Sequence, residues 1–343
     1  MKKVLVSLFL ILSVILAACG SGNGAEGGEG SSGSGDQIVM RAGTGANQEH
    51  STYLGLEKFK EIVEEKSDGS IEVEVYHSGQ LGDDREMAEA VQLGSQEVVV
   101  ASDANLSPFV SEVNVLGFPF LFPTREVAHE VLDGEAGQAI LDKFDEKNMV
   151  GLAYWENGFR NITNSRQPIE SVEDLSGLKL RTMSSDLHID VFAELGANPT
   201  PMAFTELYTG LQQGTVDGQE NPNPLIYQQK FHDVQDYLSE TRHVYTPYLF
   251  LVSKGFYDEL SDEHKQIIEE AALEAGEYQR EENHKQDQEA LESLVEEGIE
   301  VNEVSEEVRN EMQTIIEPLL EDYSQEIGED IVNQIYEAVE EAS

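Results

Sequence analysis

Two kinds of residue are scarce in this chain. Cysteine occurs once in 343 residues, as Cys19, so an intrachain disulfide is excluded. Lysine and arginine total 21 against 67 aspartates and glutamates, and the formal net charge is −46 at pH 7. Binding phosphates needs clustered Lys and Arg, so the composition argues against a nucleic-acid partner. An anionic ligand would meet long-range repulsion, and its site would need locally concentrated positive charge.

The N-terminus has the layout of a secretory signal. Lys2 and Lys3 precede an apolar run over 4–16, and two alanines lead into Cys19. A basic start, a short apolar stretch and a small-residue cleavage site define such signals. The ending before Cys19 resembles a bacterial lipobox, which predicts removal of residues 1–18 and lipidation of Cys19. The alternative is an ordinary signal with an incidental cysteine.

A flexible linker and then a folded body are predicted after the signal. Residues 19–36 are mostly Gly, Ser, Glu and Asn, a composition that cannot bury apolar surface. Residues 37–343 are more than one core usually holds, so two domains are expected.

Strand and helix patterns alternate along this body. Strands are predicted at 38–42, 71–76, 98–101, 150–154, 178–181 and 248–253, and from 216 onward. Helices are predicted at 51–66, 84–93, 189–195 and 205–213, and over acidic stretches after a cap at Ser261. The segment 116–123 contains two prolines and is predicted as a loop. This order predicts an α/β fold in which helices flank mixed sheets, with long C-terminal helices.

Signatures of catalysis are missing from the sequence. There is no His-Glu-x-x-His zinc motif, no Gly-x-Ser-x-Gly elbow and no P-loop, and the eight histidines have no metal-ligand spacing. We therefore predict a binding protein without a metal or a cofactor. Two other classes stay open: a surface-anchored enzyme that uses Asp217 and Glu220 as acid and base, and an adhesion or sensory module.

Polar side chains follow the predicted strands. Arg181 ends one strand, Asn221 lies just past another, and Arg160 follows the strand that ends at Tyr154. Because ligands of open α/β sheets bind beyond the carboxyl ends of strands, these three side chains could form a carboxylate clamp. The alternative for each arginine is a structural salt bridge to one of the many acidic residues.

Several motifs together resemble the DctP-type solute-binding proteins of TRAP transporters. The motifs are GQLGDDR (79–85), FPFLF (118–122), GLKLRT (177–182), GANPTPMAFTELY (196–208), LQQG (211–214) and VDGQENP (216–222). The resemblance implies a two-lobed, periplasmic-binding-protein-like receptor that closes on a small organic anion. It also implies delivery of that anion to a membrane permease driven by an ion gradient.

The resemblance assigns roles to residues of both lobes. It implies that Arg181 holds the ligand carboxylate, that Asn221 supports Arg181, that Arg160 adds a contact and that Phe204 packs on the ligand. Phe204 as an ordinary core residue stays open. Further correspondences with the family place these residues near the pocket: Asn47, Asp84, Ser102, Asp103, Asn105 and His243. Ser102 and Asn105 stand where members that bind sialic acid have a glutamate and an arginine, which argues against sialic acid.

The ligand is expected to be a C4-dicarboxylate or a sugar acid such as a uronate. Polar first-lobe positions that could bind hydroxyls favour the sugar acid. The first lobe is predicted to comprise 37–157 and roughly 247–286, and the second 158–246 and roughly 287–343. The receptor would be extracytoplasmic, anchored to the outer face of the cell membrane by the lipid on Cys19.

Overall fold

The computed structural model describes residues 37–343. The predicted signal peptide, the predicted lipidation site Cys19 and the predicted linker lie outside the described residues. Among the residues described, no helix is both long enough and apolar enough to cross a membrane.

The described chain alternates strands and helices, as predicted. The strands are β1 Ile38–Gly43, β2 Ile71–Tyr76, β3 Val98–Ser102, β4 Met149–Asn164, β5 Lys179–Thr182, β6 Asn198–Pro201, β7 Gly218–Asn221, β8 Tyr237–Ser253 and β9 Glu300–Glu303. The helices are α1 Ser51–Lys66, α2 Asp84–Gln92, α3 Asp103–Leu106, α4 Arg125–Asp133, α5 Glu135–Leu141, α6 Asp186–Glu194, α7 Leu207–Gln212, α8 Asn223–Gln228, α9 Lys254–Glu259, α10 Asp262–Glu296, α11 Glu306–Ile327 and α12 Glu329–Ala342. Short 3-10 turns cover Ser111–Gly117, Asp142–Lys147, Val172–Leu175, Phe204–Glu206 and Phe231–Asp233.

The strands form a mixed sheet in the order β2-β1-β3-β8-β4-β7-β5-β6, with β9 beside β8. One half contains the parallel strands β2, β1 and β3, and the other half contains the parallel strands β6, β5 and β7. Strands β4 and β8 pair antiparallel and run through both halves. Helices flank the sheet, so the predicted α/β class with mixed strands is confirmed.

The two crossing strands are longer than the sequence predicts. The strand predicted to end at Tyr154 continues to Asn164, and the strand predicted to start at Tyr248 begins at Tyr237. Their pairing is interrupted by bulges, one of them between Glu156 and Gly158. A bulge leaves one residue unpaired and bends the strand, which hides the two-residue alternation from sequence reasoning.

This bulge accommodates two residues that usually mark strand ends. Pro247 has no backbone N–H to donate, yet it lies within β8. Its partner in β4 is Glu156, the residue at which the bulge begins. Gly158 has a φ of 115°, a conformation that side chains with a Cβ rarely adopt. Pro247 and Gly158 therefore explain why β4 and β8 bend at this bulge between the two halves.

Cap residues in the sequence explain where helices α2 and α10 begin. The Asp83 side chain accepts from the Glu86 backbone N–H, and the Asp83 backbone N–H donates to the Glu86 carboxylate, so the two residues form a capping box at the start of α2. The segment 116–123 is a turn followed by a loop, as predicted. Ser261 caps the 35-residue helix α10, which packs on α1, β4 and α8. Helix α12 packs on α4 and α5.

Candidate functional site

A small cavity lies where parallel strands of both halves end. The carboxyl ends of β1 and β3 reach it from one half, and those of β5 and β7 reach it from the other. Its lining residues are Gly45, Ala46, Asp84, Ser102, Asn105, Asn157, Arg160, Arg181, Met183, Phe204, Asn221, Leu225 and Tyr248. The free volume is about 20 Å³, room for about one water molecule.

Arg181 is a buried cation that makes no salt bridge with an acidic side chain of residues 37–343. Its Nε and Nη2 donate to the Met202 carbonyl oxygen at 2.9 and 2.7 Å. Nη1 is buried and has no hydrogen-bond partner among residues 37–343. Burial lowers the pKa of the guanidinium to about 10, so Arg181 is charged at neutral pH. A charged donor with a free N–H therefore borders the cavity.

Arg160 is also buried, but it is paired. Its Nε and Nη2 donate to the Glu220 carboxylate, with Nη2 at 2.8 Å from Oε1. Nη2 also donates to the Glu220 backbone oxygen at 2.6 Å and to Asn221 Oδ1 at 3.0 Å. Arg160 lies inside strand β4, whereas the sequence places it after the strand. Asn221 is the last residue of β7 rather than just past it.

The Glu220 carboxylate is held in its ionised form. Burial by itself raises the pKa of this carboxyl, but the charge of Arg160 and the bond from His243 outweigh burial and hold the pKa well below its usual value. His243 Nε2 lies 3.3 Å from Glu220 Oε2, and its Nδ1 lies 2.8 Å from Thr241 Oγ1. An acid held so firmly ionised is a poor proton donor.

The wall contributed by the β1–β3 half is rich in acceptor oxygens. Asp84 Oδ2 accepts from Asn105 Nδ2 at 3.2 Å. Burial raises the pKa of Asp84 to about 6. Gly45 lets this carboxyl approach the chain, because a Cβ at Gly45 would lie 2.7 Å from Asp84 Oδ1. Ser102, also at this wall, donates to Asp103 Oδ1 at 2.8 Å.

Sequence reasoning missed several lining residues. Asn157 and Tyr248 come from the crossing strands, whose full length the sequence does not reveal. Asn157 Nδ2 donates to Thr246 Oγ1 at 3.2 Å, whereas Asn157 Oδ1 is buried without a partner in the described chain. The pairing of β4 with β8 brings both residues to the cavity. Gly158 and Pro247 are the sequence features that could have indicated a bulge, and thus that the two strands continue through it.

Three of the predicted pocket residues do not line the cavity. Asn47 donates through Nδ2 to the Gln228 backbone oxygen at 3.1 Å and turns the chain before α1. Asp103 is buried behind Ser102, and burial raises its pKa to about 7. His243 lies behind Glu220, with its ring edge-on to Phe192 at 5.3 Å between centroids. All three therefore lie outside the cavity lining.

Phe204 lies both at the cavity and against a hydrophobic core cluster. Its ring lines the cavity and also meets Phe231 edge-on, with 6.1 Å between centroids.

The pair suggested for acid–base chemistry is not assembled. Asp217 Oδ2 accepts from the Lys179 backbone at 3.1 Å and lies outside the cavity lining. Glu220 is occupied by Arg160. Two α/β halves with a buried cation at the cavity between them are suited to binding an anionic ligand.

The comparisons identify the family. The model of the bacterial extracellular solute-binding proteins, family 7 (DctP), matches residues 42–326. The chain belongs to this family, the two-lobed solute-binding proteins of TRAP transporters, which are substrate-binding proteins and not enzymes.

Relatives and solved structures cover most of the chain. The 2,3-diketo-L-gulonate-binding periplasmic protein YiaO of Escherichia coli is 37% identical over 262 residues, or 76% of this chain and 80% of YiaO. The sugar acid binding protein DctPAm of Advenella mimigardefordensis, solved with galactonate, is 40% identical with a TM-score of 0.87, covering 89% of this chain and 98% of that one. A protein of Sulfurospirillum deleyianum solved with succinate is 31% identical with a TM-score of 0.83, covering 87% and 98%.

Proposed function

We propose that this protein binds a small organic acid through Arg181 and delivers it to a TRAP permease driven by an ion gradient. The observation that carries the proposal is the buried, unpaired guanidinium at the cavity. An isolated buried charge is costly, and a ligand carboxylate would relieve that cost. Arginine suits the task because its planar fork makes charge-assisted bonds to a carboxylate.

The remaining residues support a clamp around Arg181. Asn221 and Arg160 form a connected polar wall beside it, and Phe204 offers an apolar face. Two or three hydrogen bonds to a charged group, at about 1.5–3 kcal/mol each, would together supply about 3–9 kcal/mol, which is comparable with the roughly −8 kcal/mol of micromolar binding.

Relatives with different ligands bound favour an organic acid of moderate size. Galactonate, 2,3-diketo-L-gulonate and succinate belong to the three proteins described above. For this chain we propose a C4-dicarboxylate or a sugar acid such as a uronate. A free volume of about 20 Å³ is far too small for either class, so the walls must separate to admit the ligand.

The division into moving lobes follows the crossing strands. We propose that 37–157 with roughly 247–286 form one lobe, and 158–246 with roughly 287–343 form the other. The bulge at Gly158 and Pro247 lies at this boundary, where a bent strand is a natural hinge. We also propose that lipid on Cys19 anchors the receptor to the outer face of the cell membrane.

The test is a thermal-shift screen of organic acids followed by calorimetry on Arg181→Lys. Ligand binding raises the melting temperature because it stabilises only the folded state. Lysine keeps the charge but loses the planar fork, so we expect the dissociation constant to rise about 100-fold. The matched control is Arg166→Lys, because Arg166 is half exposed and pairs with Asp217 outside the cavity. Near-normal affinity in Arg181→Lys would refute the clamp.

A further inference from the structure

We infer that Asp84 is a specificity-determining residue, which together with Asn157 selects ligand hydroxyls and disfavours a second carboxylate. The inference rests on the proposed function, since it assumes that Arg181 binds the first carboxylate. It narrows the ligand to polyhydroxylated monocarboxylates.

The hydrogen-bonding groups around Asp84 need donors from the ligand. Asp84 accepts from the Asn105 amide and from the backbone N–H groups of Ser102 and Gly45, so about one of the four acceptor sites of its carboxylate is left for the ligand. Asn157 Oδ1 borders the same cavity, is buried, and has no donor within 37–343. A ligand hydroxyl can donate its one proton to either acceptor, so two hydroxyls would satisfy Asp84 and Asn157 Oδ1, whereas an ionised carboxylate can only accept. A second carboxylate would therefore leave Asn157 Oδ1 unsatisfied.

The charges lead to the same ligand class. Three ionisable side chains with full charges line the cavity: Arg160, Arg181 and Asp84. Glu220 neutralises Arg160, which leaves one cation for the ligand and one anion. A monocarboxylate satisfies the cation, and its uncharged remainder can lie beside Asp84. A dicarboxylate would bring a second negative charge toward Asp84 without a cation to receive it.

The ionisation state of Asp84 strengthens the discrimination at alkaline pH. Burial raises the pKa of Asp84 to about 6, so the carboxyl is ionised at about pH 8. Its backbone and side-chain donors from Ser102, Asn105 and Gly45 oppose that rise, and the charge of Asp83 adds to it. At about pH 8 the ionised Asp84 therefore repels a second carboxylate and accepts hydrogen bonds from ligand hydroxyls.

The experiment compares D-galactonate, D-glucuronate and succinate by calorimetry at about pH 8 on the protein without residues 1–18. We expect the better sugar acid to bind at least about 10-fold more tightly than succinate. In Asp84→Asn this ratio should fall at least about 10-fold, because the repulsion disappears and the amide supplies a donor.

The matched control is Asp83→Asn. It removes the same charge one position away, and asparagine preserves the cap of α2, so the ratio should stay within about 2-fold of the wild type. A second variant, Asn157→Leu, removes the orphan acceptor and should weaken sugar-acid binding while leaving succinate unchanged. This variant keeps the inference testable if Asp84→Asn does not fold.

Two results would overturn the inference. One is succinate binding as tightly as the sugar acids in the wild type, and the other is an unchanged ratio in both Asp84→Asn and Asn157→Leu. Failure of the proposed function looks different: no organic acid would bind the wild type, or Arg181→Lys would bind normally.

Discussion

Arg160 and Arg181 are two buried arginines at one cavity that differ in their partners. Arg160 lies in the crossing strand β4 and shares its charge with Glu220. Arg181 lies in the short strand β5, and within residues 37–343 its guanidinium bonds only to the Met202 carbonyl oxygen. Removing a guanidinium from water is costly, and a carboxylate partner repays much of that cost. Arg160 therefore belongs to the framework between the halves, and Arg181 is kept unpaired at a cost in stability.

The surroundings of each arginine match this division. Arg160 is held by a side-chain carboxylate, a backbone oxygen and an amide, with His243 behind them. Arg181 has a free Nη1. Consistency among local features is the rule in folded proteins, and breaches of it concentrate at functional sites. The unpaired arginine is such a breach.

The same substitution at the two arginines should have opposite effects, and the larger effect is at Arg160. Arg160→Met leaves the buried Glu220 carboxylate without its main partner, so we expect the free energy of unfolding to fall by about 3–5 kcal/mol. Urea denaturation of the ligand-free protein measures this loss.

A double variant sharpens this prediction. Arg160→Met with Glu220→Leu removes both charges and should recover most of the lost stability, because apolar replacements of a buried pair are close to neutral. Equal stability of the single and double variants would mean that the ion pair is not what Arg160 contributes.

Arg181→Met should raise the free energy of unfolding by about 1 kcal/mol, because it removes a buried charge that makes no salt bridge within residues 37–343. Burial lowers the pKa of the folded-state guanidinium to about 10, below its ordinary value. The destabilisation is therefore fully present below about pH 10 and fades only above it. Denaturation at pH 7 without ligand tests this gain, and a loss as large as that of Arg160→Met would erase the distinction between the two arginines.

The sequence predicts the fold class and most elements because their patterns are local. The strand at Ile71–Tyr76 alternates apolar and polar residues, and Asp83 and Ser261 are recognisable caps. It does not predict β6, because Pro199 and Pro201 oppose a strand unless it lies at a sheet edge. It also misses β9, since the pairing of Glu300–Glu303 with β8 is a long-range contact.

From the residues alone, the site could be predicted only where a side chain follows a recognisable strand. Arg181 and Asn221 meet that condition and line the cavity, whereas Asp84, which also lines it, is expected only from the family resemblance. Asn157 and Tyr248 do not meet that condition, because the bulge at Gly158 interrupts the pattern that would have extended their strands. The salt bridge of Arg160, one of two alternatives from the sequence, depends on the register between β4 and β7, which no local pattern encodes.

The smallest expected effect concerns Phe204, which lines the cavity that Arg181 also lines and packs on Phe231. Phe204→Leu keeps an apolar side chain but removes the ring, so stability should change by less than about 1.5 kcal/mol. If the ring covers the ligand held by Arg181, the dissociation constant should rise about 3- to 10-fold. Calorimetry and melting temperature on one preparation separate the two roles: lower stability with unchanged affinity would make Phe204 a core residue, and Arg181 would then bind its carboxylate without an aromatic cover.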